Sequence, residues 1–207
     1  MGKSTIAIVV SAEDVAGMTI RKQLLKSYGF EDVKGESFDN SPVFTLPIED
    51  CSAKLFTAAT DSIHCENIDK RIDADIFVFA TRHYSNAGVP ALTTHSIGNW
   101  GRAEFGGRGG TICPASPRLL KLFLQNLAAV AKSGGYQGDV VQEATHHGPY
   151  VEKPAVFIEV GSSEKEWQDA KLASMAADSL IGGLGDYVSL NEEFEPVVAL
   201  GGPHYAI

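Results

Sequence analysis

Asp75-Ile76-Phe77-Val78-Phe79-Ala80, running directly into Thr81-Arg82-His83, decides the fold class: it is the clearest strand in the chain, and it ends on a polar turn that carries an imidazole. Working outward, Ile6 to Val10 is a continuous apolar run, the pattern of a strand buried on both faces. Val15 to Tyr28 then places Val15, Met18, Leu25 and Tyr28 at helical spacing before Gly29, giving a β-α opening. Phe44 to Ile48 and Lys54 to Ala59 are short strands around the turn at Pro47 and Glu49-Asp50, and Cys65 to Ile72 is a short helix.

Downstream, Ala91 to Ile97 is a strand entering the glycine-rich loop Gly98 to Gly110. Ser116-Pro117 starts a helix, with the hydroxyl as N-cap and proline at the first helical position; Leu119, Leu120, Phe123, Leu124 and Leu127 form its buried stripe up to Ser133-Gly134-Gly135. Val140 to Ala144 and Ala155 to Val160 are further strands. The second leads to a helix opened by the capping box Ser163-x-x-Glu166. Val197 to Leu200 reads as the last strand, followed by Gly201-Gly202-Pro203-His204-Tyr205. Strands alternating with helices predict a single α/β domain over residues 1–207, a layered fold with a mixed, largely parallel sheet flanked by helices. Antiparallel pairs are expected within Phe44 to Ala59 and within Asp75 to Ile97.

The 207 residues, 44% hydrophobic and 21% charged, suffice for one buried core. No apolar run reaches the roughly 18 residues that span a bilayer. Met1-Gly2-Lys3-Ser4 leads into a strand-like run and not a signal peptide, so a soluble cytoplasmic protein without membrane association is expected. Three cysteines, Cys51, Cys65 and Cys113, form no C-x-x-C and suggest neither a disulfide framework nor a thiolate zinc site. A net charge of −9 excludes a general nucleic-acid coat, whose affinity comes from cations releasing counterions. The charge is unevenly spread, however. Arg82, Arg102, Arg108, Arg118 and Lys121 face the single acid Glu104 between Arg82 and Lys121, leaving one face able to accept an anion.

Five of the six histidines sit in polar segments at strand ends: His83, His95, His146, His147 and His204. A single histidine is usually a structural residue. Four strand ends that each deliver imidazole are read as a site, because ligands of open α/β sheets bind beyond the carboxyl ends of the strands. Imidazole serves as a general base near neutral pH or as a ligand for metals such as zinc, and the sequence does not separate the two. Neighbouring strand residues face opposite ways, so one of His146 and His147 is assigned to the site and the other to a supporting or second-metal role. A strand ending before Gly148-Pro149 would relax that restriction. Glu159, inside its strand, is a buried carboxylate that needs a metal, imidazole or arginine partner, or else an edge residue in solvent.

The loop from Gly98-Asn99-Trp100-Gly101-Arg102 to Gly110 combines close-approach glycines, an aromatic platform and arginines. Its backbone N–H groups and Arg102 and Arg108 suit phosphate, and Trp100 suits a base. Thr93, Thr94 and Ser96 beside His95 are hydroxyls able to donate to an ester carbonyl or a ribose.

Thr81-Arg82-His83-Tyr84-Ser85, Pro90 through Gly101, Glu143-Ala144-Thr145-His146-His147-Gly148-Pro149, Phe157 through Trp167 and Gly201 through Ala206 together resemble the archaeal and plant type of D-aminoacyl-tRNA deacylase, in the family's order and over nearly the whole chain. The resemblance implies an α/β fold related to phosphorylase and peptidyl-hydrolase folds. It also implies hydrolysis of the ester joining a D-amino acid to the 3′ end of tRNA, and zinc dependence. Pro203 stands where the family has glycine, and the chain stops at Ile207, so the family's carboxyl-terminal segment is expected to be absent.

On that basis His83, His95, His147 and Glu159 are assigned to catalysis, and His83, His95, His146, His147 and His204 to zinc. Thr93, Thr94, Asn99, Trp100, Arg102 and Arg108 are assigned to the tRNA acceptor end. An ester needs an activated water and a stabilised oxyanion, which a histidine-bound zinc supplies together. The rival readings are a peptidyl or nucleoside hydrolase or phosphorylase on a related sheet, a non-catalytic metal- or RNA-binding module, and a metal-free deacylase assisted by a tRNA hydroxyl.

Overall fold

The computed structural model describes residues 4–190 and 193–206; the opening Met1-Gly2-Lys3 lies outside the described residues. The strands are β1 (Ser4–Ser11), β2 (Glu31–Phe38), β3 (Ser41–Ile48), β4 (Cys51–Ala58), β5 (Ile76–Arg82), β6 (Ala91–His95), β7 (Gly98–Asn99), β8 (Thr111–Ile112), β9 (Asp139–Glu143), β10 (Ala155–Gly161) and β11 (Tyr205–Ala206). The helices are α1 (Val15–Ser27), α2 (Pro117–Ser133), α3 (Glu164–Trp167) and α4 (Ala170–Ser189). Nine strands form one mixed sheet in the order β11-β9-β6-β10-β5-β1-β4-β3-β2, and β7 and β8 form a separate ribbon. The centre is parallel across β10, β5, β1 and β4, as the fully apolar runs predict.

Alternation along the strands divides the core in two. Ile6, Ile8 and Val10 of β1, with Val78, Ala80, Val156, Ile158 and Val160, face α1, α2 and α4. Ala7, Val9, Phe77, Phe79, Ala155 and Phe157 face the opposite way, onto Cys65, Ile68, Ile97 and Val151. The long helices thus share one face, and the other is covered by connecting segments. The stripe expected of α2 is in place, with Leu119, Phe123 and Leu127 fully buried.

Several expectations need correction. The strands Asp75–Ala80 and Ala91–Ile97 are not neighbours: β10 lies between them, parallel to β5 and antiparallel to β6. Sequence-adjacent strands need not pair when a later strand offers a better apolar register. The antiparallel pair within Phe44 to Ala59 is present as β3 and β4. Val197 to Leu200 is not a strand; Val197, Val198 and Leu200 are each at least 80% exposed, and the last ladder is Tyr205-Ala206 on β9 instead. Cys65 to Ile72 is not one helix; it holds the short 3₁₀ turn Ile68–Lys70, and another, Ser62–His64, ends just before it. The Ser116 hydroxyl makes no cap hydrogen bond, whereas Glu166 accepts from the Ser163 backbone N–H, the reach-back bond of a capping box, and also from the Ser163 hydroxyl. The charged edge strand β2, apolar only at Val33 and Phe38, forms by pairing with β3.

Candidate active site

Glu159 lies in register with Thr81 of β5 on one side and Thr93 of β6 on the other. All three side chains stand on the face away from the long helices. Thr81 donates a 3.0 Å hydrogen bond to one carboxylate oxygen of Glu159 and Thr93 donates a 3.0 Å bond to the other. Burial alone would raise the pKa of Glu159. The facing imidazoles of His83 and His95, with the charge of His95 and His147, outweigh it and hold the carboxyl well below its ordinary range, so Glu159 is a fixed anion.

The histidines gather around it. His83 is placed by its own N–H on Val160 O (2.9 Å) and by the indole of Trp167 donating to His83 O (2.9 Å). Its Nδ1 lies 3.0 Å from Glu143 Oε1 and 3.4 Å from Glu159 Oε2, and its Nε2 is 2.8 Å from the Tyr205 hydroxyl. His95 is fully buried, stacked on Phe157, with Nε2 3.6 Å from Glu159 Oε1. For both rings burial opposes protonation, but the Glu159 carboxylate prevails and raises the pKa.

His146 and His147 follow β9, which ends at Glu143, and His147 adopts the left-handed backbone region at φ +43°. The strand alternation that would separate the pair therefore no longer applies. Their rings lie 4.3 Å and 4.8 Å from the His95 ring. Burial, reinforced by neighbouring imidazoles, lowers both pKa values, that of His147 to about 4, so both are neutral at physiological pH. Nδ1 of His95, His146 and His147 faces the backbone carbonyls of Ser96, Ala144 and Gly148 at 2.9, 2.8 and 2.7 Å. In the neutral rings Nδ1 then carries the proton and Nε2 presents a lone pair.

Glu143 completes the group and was not among the residues assigned from sequence. Its carboxylate is fully buried, yet neither oxygen has a hydrogen-bond partner; the close approach to His83 lacks hydrogen-bond alignment. His146 Nε2 and His204 Nε2 lie 3.6 and 3.7 Å from Glu143 Oε2. Burial first, and then the Glu159 charge, pushes the Glu143 carboxyl up to about 7. The available signal was its position at the end of a strand three residues before His146.

Three sets offer donor atoms within 4.8 Å of one another: His95, His146 and His147; Glu143, His146 and His204; and His83, Glu143 and Glu159. Neutral imidazole nitrogens beside carboxylate oxygens are the donor chemistry of zinc. The buried Nε2 of His95 and both Glu143 oxygens, lacking hydrogen-bond partners, are atoms that a cation would satisfy. These residues fit the metal.

A profile for D-aminoacyl-tRNA deacylase matches residues 70–207. Proteins named D-aminoacyl-tRNA deacylase in Thermococcus kodakarensis and Pyrococcus horikoshii are each 34% identical over 206 residues, covering 96% of this chain and 72% of theirs. The chain belongs to the D-aminoacyl-tRNA deacylase family. A solved structure of a conserved protein of unknown function superposes with a TM-score of 0.76 at 29% identity, over 88% of this chain and 64% of that one. A 5′-methylthioadenosine/S-adenosylhomocysteine nucleosidase from Campylobacter jejuni superposes at 0.56 with 12% identity, over 88% of this chain and 99% of that one, which is a likeness of fold alone.

Within this deacylase-family chain, the assigned residues divide. His83, His95, His146, His147 and Glu159 converge, and His204, half-exposed, joins through Glu143. They converge over a sheet face and not beyond one set of strand ends, because β5 and β6 run in opposite directions. Thr93 is in the group, but Thr94 alternates away from it and donates to Phe157 O at 2.7 Å, so the structure does not place it at a substrate site. Asn99 is buried and donates to Gly106 O, shaping the loop. Trp100, Arg102 and Arg108 are exposed on that loop, Arg108 lying over the Tyr150 ring.

Proposed function

We propose that this chain hydrolyses the ester bond of D-aminoacyl-tRNA, its family's reaction, at the histidine–glutamate cluster. The observation that supports the placement is Glu143: a buried carboxylate with no hydrogen bond, a pKa near 7, and imidazoles within 3.7 Å. A general base works best when its pKa lies near the operating pH.

Zinc held by His95, His146 and His147, with Glu143 and His204 at its side, would supply a Lewis acid and a water of lowered pKa. In this reading Glu143 takes the proton of the attacking water. His83, oriented by Glu143 and Glu159 on Nδ1 and by Tyr205 on Nε2, passes a proton to the ribose oxygen as the ester breaks. His147, neutral and beside His95, serves in this reading as one of the three nitrogens that would hold the metal. Thr81 and Thr93 hold the Glu159 carboxylate in place. Phe157 and Phe79 form a dry floor that strengthens these charges.

The acceptor end of tRNA is the substrate in this reading, and the cytoplasm, where aminoacyl-tRNA is made, is its place. Among the described residues no helix is long and apolar enough to cross a membrane. The test is deacylation of D-tyrosyl-tRNA beside L-tyrosyl-tRNA, with metal content measured on the same sample. Selective turnover of the D ester that follows zinc content supports the reading. Equal hydrolysis of both esters, or undiminished deacylation by His95→Ala, would overturn it; full activity after exhaustive chelation would remove the metal from it.

A further inference from the structure

We propose that the segment Gly98 to Ile112 is a stacking platform for an unpaired RNA 3′ end, so that this chain engages its substrate through the single-stranded terminus and not the duplex behind it. The inference rests on the functional reading above for the identity of the RNA.

Trp100, Phe105 and Ile112 are 62%, 64% and 49% exposed, three large apolar side chains on one short segment. The segment holding them is tightly tied. β7 and β8 pair Gly98 with Ile112 and Asn99 with Thr111, Gly110 N–H donates to Gly101 O at 2.7 Å, and Asn99 donates to Gly106 O at 3.0 Å. Gly106, at φ +69°, packs so closely that a β carbon there would stand 1.7 Å from Ile63 O. A fixed backbone that turns two aromatic rings to solvent is a surface awaiting a ligand.

The ligand is narrowed by charge and by place. Exposed Arg102 and Arg108 stand against Glu104 on the same loop, in a chain of net charge −9. Arg108 is already engaged, its guanidinium 3.7 Å from the Tyr150 ring centre and one nitrogen 3.2 Å from Asn67 Oδ1. So modest a positive charge suits one or two phosphates and not a helical backbone. Aromatic faces stack on unpaired bases, which a duplex keeps covered. The loop also touches the histidines through its backbone. Gly98 N–H donates to His147 O and Gly148 N–H donates to Phe105 O, each at 2.9 Å. A strand stacked on Trp100 and Phe105 therefore ends beside the imidazoles, where an ester on its 3′ hydroxyl must lie to react.

The test uses the full chain and unacylated, labelled RNA: a single-stranded tetranucleotide ending in CCA, a hairpin with the same four-nucleotide overhang, and the hairpin made blunt. The expected result is similar affinity for the first two and at least about tenfold weaker binding of the blunt hairpin. Trp100→Ala and Phe105→Ala should each weaken the tetranucleotide about tenfold. The slope of log affinity against log salt should be no steeper than about −1.4, two phosphates on a single strand. Quenching of tryptophan emission by the tetranucleotide, lost in Trp100→Phe, reads the same contact without depending on a truncated variant. Equal binding of blunt and overhanging hairpins, wild-type affinity in both alanine variants, or no binding of the tetranucleotide would overturn the platform. D-ester turnover by the wild type judges the functional reading separately.

Discussion

Glu143 Oε1 stands 3.0 Å from Nδ1 of His83, and no hydrogen bond satisfies either oxygen of that buried carboxylate. Stability alone does not account for such a group, since an ion buried without partners costs several kcal/mol. Glu143→Gln should accordingly leave the melting temperature unchanged or raise it, while lowering single-turnover deacylation of D-tyrosyl-tRNA at least about 100-fold. A variant of near-normal rate would remove Glu143 from the chemistry.

Thr93 and Thr81 act on Glu159 from both sides. Thr93→Val removes the hydrogen bond to Glu159 Oε2, leaving that buried oxygen only the His83 imidazole at 3.4 Å, and should cost about 1–3 kcal/mol in urea unfolding. Because the two threonines serve one carboxylate, the double valine variant should depart from additivity by more than about 0.5 kcal/mol. Strict additivity would show that they do not share it.

Gly161 holds His83 at close range: a β carbon there would lie 2.4 Å from His83 O and 2.6 Å from His83 Cβ. Gly161→Ala should displace that backbone, destabilise the fold by about 1–3 kcal/mol as overpacking does, and depress activity further than unfolding explains. Circular dichroism melts and turnover below the melting temperature separate the two losses.

Acid should act on the metal-free protein with opposite signs. The unfolded chain protonates His147 near pH 6.5 and the folded chain only near 4, so this residue withdraws stability as pH falls from about 6.5 to about 4. His146, also lowered, has the same sign. His83 and His95 are raised; their contribution is present below about pH 6.5 and fades as pH rises through their folded values. Glu143, raised to about 7, likewise contributes below its ordinary range and loses that contribution by about pH 7. His147→Gln should therefore flatten the fall of melting temperature between pH 6.5 and 4.5. An unchanged acid limb would contradict a depressed His147.

Zinc should stabilise by binding only the folded donors. At one hundred times the dissociation constant the gain is about 2.7 kcal/mol, read as a rise in melting temperature that His95→Ala diminishes. Identical shifts in wild type and variant would place the metal elsewhere.

Local chemistry determined what the sequence could tell unaided. The apolar run Ile76 to Ala80 specified a buried strand, Pro117 and the leucine stripe specified α2, and the ordered strings around His83, His95, His146 and Glu159 identified the family. These signals lie within a few residues of one another. What only the tertiary structure decided depends on partners far apart in the chain. The insertion of β10 between β5 and β6 set Glu159 between Thr81 and Thr93, residues 78 and 66 positions away. It also turned the two strands in opposite directions, so the histidines meet over a sheet face. Val197 to Leu200, β-prone in isolation, found no edge to pair with, and Tyr205-Ala206 took the place beside β9. Glu143 looked like any acid at a strand end until the fold closed histidines around it, since desolvation and unmet hydrogen bonds exist only in the assembled core.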